Sequence, residues 1–445
     1  MTRYWSEGGG VVPARRPGRV LLLVTTQSYR AGAFVEAAQR LGAPLTVGSE
    51  RPQALAGFNP DGHLTLDFSA PEVAVEVIRR FAARRPLAAI LAADDEGVLT
   101  AALAARALGL PHHPPEAVAA ARDKYRMRRA LAAAGIPTPR FHRFALDADP
   151  LALAREVEFP CVLKPLGLAA SRGVIRADDP EQFAAAFRRV AALLGRPEVA
   201  RPGDELARHL LVESYLPGVE VAVEGLVTGG VPRVLAVFDK PDPLEGPFFE
   251  ETIYVTPSRL PAAARAAVEG RAAAGVAALG LSDGPVHAEL RHHAGEAHLL
   301  EIAPRSIGGL CSRVLRFGEG RSLEEVILGA ALGLESGGLE RERAAAGVMM
   351  IPIPRAGTLA GVRGVEAARA VAGIEDVRIT IPVGDELVPL PEGARYLGFI
   401  FARGGAPEQV EAALREAHRW LEFDIQPGPG AAPGVRADAG AERRW

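Results

Sequence analysis

The sequence predicts a doubly wound α/β unit at its N-terminal end, followed by α+β segments, on three observations. Apolar runs of strand length alternate with helical stretches up to about residue 115. From about 159 the pattern switches to strands and hairpins. After about 336 a Gly-rich stretch leads into the run VMMIPIP and a mixed segment closed by the helix PEQVEAALREAHRWLEF.

Taken in order, RVLLLV (19–24) is apolar throughout, as a buried strand is, and is followed by the helical stretch AGAFVEAAQRLG and a second strand near PLTVGS. LAAILAADD (87–95) repeats the strand-then-polar-loop pattern, and EGVLTAALAARALGL continues as a helix. Ligands of such a sheet lie at strand C-terminal ends, here near Thr25, Thr26 or Asp94. No GxGxxG is present, so nucleotide binding by this unit is unsupported. One helical stretch, PEAVAAARDKYRMRRALAAAGIPTP, leads on; Gly135 ends it, and Pro137 and Pro139 turn the chain extended. The strands PCVLKP, GVIRA, HLLVESYL, VEVAVEGLVTGG, PRVLAVFDK, PVHAELR and AHLLEIA follow. Residues 1–17 and 426–445, rich in Gly, Pro, Ala and charge, are expected to be disordered tails.

Composition narrows the function classes. A formal net charge of −3, with the arginines balanced by Asp and Glu, gives no sign of a nucleic-acid or anionic-membrane partner. No apolar run approaches the roughly 20 residues of a membrane span, and MTRYWSEGGG lacks the apolar segment of a signal peptide. Cys161 and Cys311 are far apart, in apolar or small-residue surroundings, and read as core residues in a reducing cytoplasm. The 6% aromatic content and alanine-rich helices mark no interface patch, which leaves a homodimer open.

Lysine is scarce: Lys124, Lys164 and Lys240 are the three among 51 basic residues. In a chain that otherwise uses Arg, a retained Lys points to a compact ammonium set as a point charge against phosphate; chance survival is the plain alternative. Lys164 ends a strand, and the loop PLGLAASRG after it is small apart from two leucines and Arg172, as a loop closing over phosphates requires. It is not a Walker A sequence. Further on, LLVESYLPGVEVAVEG provides two strands and a connector, with Glu220, Ala222 and Glu224 alternating, able to hold an adenine and a ribose.

GPVHAELRHHAGEAHLLEIAPRS alternates on both sides of a small loop and predicts an antiparallel pair. With a three-residue loop of Ala294, Gly295 and Glu296, His293 pairs with Ala297, Arg291 with Leu299, and Glu289 with Glu301. Opposed carboxylates repel unless neutralised, and a divalent cation completed by water and phosphate oxygens would do so. The alternative is an edge hairpin with both Glu in water. Arg305 follows, suited to charge developing in a transfer step, and Gly308 and Gly309 permit close backbone approach to a ligand. Adjacent strand residues face opposite sides, so His292 and His293 read as solvated hairpin residues rather than a shared metal site.

DKYRMRRALAAAGIPTP, FPCVLKPLGLAASRGV, LLVESYLPGVEVAVEG and HAEL…LLEIAPRSIGG, in this order, resemble the ATP-grasp superfamily of carboxylate-amine ligases, over residues 116 to about 335. The flanking segments are similar to those of its L-amino-acid-ligase-like branch. The resemblance implies an N-terminal α/β domain (18–115), a small (116–212) and a large (213–335) ATP-grasp subdomain, and a C-terminal α+β domain (336–425). It implies that Lys124 and Lys164 contact ATP phosphates under a loop containing Ser171 and Arg172, that Glu213, Ser214, Tyr215 and Leu216 form the adenine hinge, and that Glu220 binds ribose. It further implies that Glu289 and Glu301 hold Mg2+, with Mn2+ as an alternative, that Arg305 and Lys240 serve acyl-phosphate chemistry, and that Glu251 and Tyr254 meet a substrate.

Two positions depart from the family pattern. Ala303 stands where many members have Asn, so one metal ligand is absent or replaced by water, and Tyr254 stands where the amino-acid-ligase-like members often have His. The implied activity is amide formation between a small carboxylate and an amine, through an acyl phosphate. The rivals are a carboxylase-like or purine-pathway ligase, and a nucleotide sensor that has lost turnover; a nicotinamide dehydrogenase lacks its glycine fingerprint.

Overall fold

The computed structural model describes residues 17–52, 59–199, 204–334 and 338–427. The expected tails lie almost wholly outside these residues. Gln426, assigned to a tail by sequence, instead ends the strand Glu422–Gln426 and pairs with Thr358.

The N-terminal unit is a parallel four-stranded sheet in the order His63–Thr65, Leu45–Ser49, Arg19–Leu23, Leu87–Ala92. The all-apolar run at 19–24 follows from burial on both faces. Leu21 and Leu23 pack with Ile78 and Ala101, while Val20 and Leu22 join a cluster that reaches Ile307, Phe317 and Phe399. One face of this sheet is thereby bonded to the rest of the molecule through a continuous core.

The helical stretch 115–134 is two helices, Pro115–Arg122 and Lys124–Ala133. Asp123 between them adopts extended backbone, and its carboxylate accepts the N–H groups of Tyr125 and Arg126, as an N-cap does. This break places Lys124 in a first helical turn, where its backbone N–H donates to Leu166 O at 3.2 Å.

An antiparallel sheet follows, in the order Phe141–Ala145, His209–Ser214, Cys161–Pro165, Ile175–Ala177, backed by the helix Pro180–Leu194. Cys161 lies in its core, and Cys311 lies in the core shared with the N-terminal sheet. The largest sheet has eight strands: Glu296–Ala303, Gly284–His293, Val219–Thr228, Val231–Asp239, Ile253–Thr256, Ala345–Ile351, Gly398–Gly404 and Ile374–Ile379. It runs across the expected boundary at 335/336, with Ile253 opposite Met349.

The hairpin corrects the predicted register. Ala294 and Gly295 have φ of 49° and 86°, so the turn has two residues, not three. His293 therefore pairs with Glu296 and Arg291 with His298. A bulge beyond Leu290 skips Leu300 and restores the expected opposition of Glu289 and Glu301. His293 is exposed, as expected, whereas His292 is half-buried.

Candidate active site

A cleft of about 930 Å³, open to solvent, is lined by residues of the four-stranded antiparallel sheet and the eight-stranded sheet. Lys124 and Lys164 line it, and Lys240 is buried beside Glu220 at its wall. All three lysines of the chain therefore converge on one site.

The floor is a buried charge network. Arg128, fully buried, bonds the Glu213 carboxylate and donates to Leu299 O at 2.9 Å and Leu300 O at 2.8 Å. Lys164 Nζ lies 2.6 Å from Glu213 Oε2. Burial by itself would raise the Glu213 pKa, but Arg128 and Lys164 outweigh it and bring it down to about 2. The Glu213 side chain is thus committed to these cations, while Ser214, Tyr215 and Leu216 line the cleft as the expected hinge would. Lys164→Arg is expected to fail despite its retained charge, because a planar guanidinium must fit where an ammonium sits beside Arg128. A fall in ADP release of about tenfold or more is the expected result, and wild-type turnover would refute it.

The loop after Lys164 is pinned at both ends. Lys124 Nζ donates to Leu168 O at 2.8 Å and lies 3.1 Å from Glu301 Oε2. Ala170, Ser171 and Gly173 have φ of 55°, 54° and 73°, and Ser171 lines the cleft. Arg172, expected at the nucleotide, does not line it. Its Nε donates to Glu392 O at 2.7 Å, and Gly173 N–H donates to Pro391 O at 2.8 Å. The Glu392 carboxylate is in turn gripped by Arg189, with Nη2 at 2.9 Å from Oε2. The C-terminal segment thus latches the loop. Glu392→Ala is expected to raise the KM for ATP about 3–10-fold while changing stability by no more than ~1 kcal/mol, since the Arg189 pair is partly exposed. An unchanged KM would show that the latch is idle.

Opposite the loop, Lys240 Nζ lies 2.8 Å from Glu220 Oε1 and 3.4 Å from Glu289 Oε1, and it also bonds Glu251. Single oxygens of Glu220, Glu251 and Glu289 lie within 4.8 Å of one another. The structure therefore groups Glu289 with these two rather than with Glu301, whose carboxylate faces Lys124. Burial and the Glu289 charge raise the Glu251 pKa to about 7. Burial also opposes ionisation of Glu289, but Lys240 and His287 outweigh it and hold its pKa well below the usual carboxylate range. Glu220, expected at the ribose, lines the cleft with one oxygen toward Lys240 and the other 3.0 Å from Arg291 Nε. Tyr254 is buried behind Glu251, to which its hydroxyl donates at 2.8 Å, and does not line the cleft.

Arg305 lines the cleft, and its Nη2 lies 2.7 Å from Asp95 Oδ2. Asp95 begins the helix Asp95–Leu108, so the N-terminal sheet does reach the site, one residue beyond the expected Asp94. Thr25, Thr26 and Asp94 themselves do not line it. Asp94 accepts from Thr25 and Ser28, and Thr26 donates to Glu50. Gly308 and Gly309, expected to approach a ligand, are likewise absent from the lining. Gly309, at φ 59°, leaves room for the Phe399 ring, 3.0 Å from where a Cβ would sit.

Sequence reasoning missed Arg128, Arg291, His287 and Asp95. Arg128 was findable as the residue one turn after Lys124. His287, two residues before Glu289 on one strand, was findable by alternation.

A cleft between two antiparallel sheets, with Lys124 and Lys164 on one side and Glu220, Glu251 and Glu289 gathered around Lys240 on the other, is the setting of the site, and residues 157–314 match the ATP-grasp domain. The flanks match further domains of the same kind: residues 35–112 match the ATP-grasp N-terminal domain and residues 349–426 the L-amino acid ligase C-terminal domain 2. It is similar to the crystal structure of L-amino acid ligase from Bacillus licheniformis, with a TM-score of 0.79, 27% identity, and coverage of 93% of this chain and 100% of that one. It is 30% identical to alanine–anticapsin ligase of Bacillus amyloliquefaciens over 53% of this chain and 52% of that protein. It is 23% identical to the uncharacterized protein y4rH of Sinorhizobium fredii over 92% of this chain and 84% of that one. The chain thus spans about half the length of the alanine–anticapsin ligase it matches. No described helix is long and apolar enough to cross a membrane.

Proposed function

We propose that this protein is an ATP-dependent carboxylate-amine ligase that forms an amide or peptide bond, with an amino acid as at least one substrate, and releases ADP and phosphate. The observation that carries this reading is the meeting of Lys124, Lys164, Arg305 and a carboxylate cluster around one cleft. The likeness over nearly the whole chain to an L-amino acid ligase supports it.

A substrate carboxylate oxygen attacks the γ-phosphorus of ATP, the bond to the ADP oxygen breaks, and an acyl phosphate forms. The amine nitrogen then bonds the acyl carbon, and phosphate leaves. Lys124 and Lys164 hold the phosphates, and the 166–174 loop excludes water that would hydrolyse the acyl phosphate. Arg305, oriented by Asp95, faces the developing oxyanion. Glu251 offers the carboxylate nearest in kind to what an incoming ammonium needs. A cluster of three carboxylates, offset by Lys240 and, at Glu220, by Arg291, keeps a smaller negative surplus, which fits a divalent cation. Glu289 and Glu220 of that cluster would hold Mg2+, which when bound neutralises phosphate charge. The ATP requirement and the free buried thiols of Cys161 and Cys311 favour the cytoplasm.

The test is ADP release from Mg-ATP against amino acids singly and in pairs, with mass spectrometry of the products. Release that depends on one acid and amine pair, with a product one water lighter than their sum, is expected. Release that requires bicarbonate and no amine would move the assignment to a carboxylase-like ligase, and ATP binding without turnover would move it to a sensor.

A further inference from the structure

Apart from helping Lys240 hold the Glu289 pKa low, His287 has no role above. It sits on the strand Gly284–His293, two residues before Glu289 and on the same face, and it lines the cleft. Its Nδ1 lies 3.1 Å from Glu224 Oε2, and its Nε2 lies 3.6 Å from Glu289 Oε1. Glu224 is fully buried, and its two oxygens also accept the Ile307 N–H at 3.2 and 3.0 Å, which fixes the carboxylate in place. Directly across the hairpin from His287 stands Ala303, a cleft residue whose side chain has no donor atom.

We infer that His287 Nε2 is a ligand of the divalent cation that Glu289 holds, supplying the donor that Ala303 cannot. The inference rests on the ligase reading, which places a metal-nucleotide in this cleft. A ligating imidazole nearly always gives its other ring N–H to a carboxylate or carbonyl, which fixes its tautomer and raises its basicity, and Glu224 stands in that position. Two donors on one ion, each about 2.1 Å from it, lie roughly 3 Å apart, so the 3.6 Å between Nε2 and Oε1 closes with a small side-chain adjustment. A nitrogen donor also changes the metal preference. Mg2+ takes oxygen ligands almost exclusively, while an imidazole favours a first-row ion, so Mn2+ is expected to bind about tenfold or more tightly than Mg2+ in the presence of ADP.

The experiment uses the full chain with Mn2+ and ADP, prepared with natural-abundance and with 15N-labelled histidine, and reads nitrogen couplings by pulsed EPR. A 14N modulation on bound Mn2+ that is replaced by 15N on labelling is expected; labelling separates the imidazole from the adenine nitrogens. In His287→Gln that coupling is expected to vanish, while ADP affinity measured without metal stays within about threefold. Mn2+ bound with ADP but without any histidine coupling overturns the inference, and leaves His287 an imidazole that only orients Glu289. Failure to bind nucleotide at all overturns the ligase reading itself, and this inference with it.

Discussion

Arg128→Met is expected to destabilise the protein by ~3–5 kcal/mol, because it takes one of two cations from a buried carboxylate and the donor from two carbonyls at once. Arg128 is fully buried, and among the described contacts it alone joins the helix Lys124–Ala133 to both Glu213 and the Leu299 and Leu300 carbonyls. Lys164 would remain as a cation for Glu213, but the two backbone oxygens would lose the donor described for them. The measurement is the denaturant midpoint, with tryptophan fluorescence and circular dichroism followed together so that a single transition can be verified. The pH dependence gives an independent reading. Glu213 has a pKa lowered to about 2 in the fold, so its contribution is fully present above its unfolded value near 4.5 and is lost as pH falls toward 2. That contribution is on the order of 3 kcal/mol, and in Arg128→Met the acid loss should set in at higher pH. An unchanged midpoint and acid limb would mean that the network is ornamental to stability.

The second large effect concerns turnover. Arg305→Met is expected to lower kcat about 10²–10³-fold while the KM for ATP stays within about threefold, the pattern of a group that acts on charge appearing in the transition state. Arg305 is held charged by Asp95 at 2.7 Å, and its Nη1 donates to Ser306 O at 3.0 Å. Asp95→Asn should therefore fall between wild type and Arg305→Met, since Arg305 keeps its charge and one anchor but loses the partner that aims it. If Arg305→Met raised the KM for ATP and spared kcat, Arg305 would be a ground-state phosphate contact instead. If Asp95→Asn matched wild type, the N-terminal domain would have no part in aiming it.

The order and kind of the elements were legible because they depend on local periodicity. The unbroken apolar run at 19–24 reads as a strand covered on both faces, and burial of Val20 to Leu23 bears this out. The break at Asp123 was also written locally, as a capping residue inside a helical run, but the flanking alanines masked it. The scarcity of lysine pointed to the cleft more directly than any motif did, since composition had removed the background of surface ammonium groups. The Glu289–Glu301 opposition was predicted with a turn one residue too long, and the bulge at Leu300 cancelled that error. Turn chemistry acts through two residues, whereas a bulge depends on what the strand packs against, so only the first could be read from the chain.

What decided the site was contact between segments far apart in sequence. Arg172 carries no mark that separates a phosphate ligand from a bond to a carbonyl 220 residues away. Glu220, Glu251 and Glu289 are spread over three segments, and only the sheet order that brings their strands and loops together makes them one cluster around Lys240. Glu213, expected in the adenine hinge, turns its carboxylate to Arg128 and Lys164. The sequence by itself determined which elements form and which residue types were available for phosphate and metal chemistry, because propensity, capping and alternation act over a few residues. Only the tertiary structure decided which charges meet, because a buried charge takes its partner from whichever segments packing brings within about 4 Å of it.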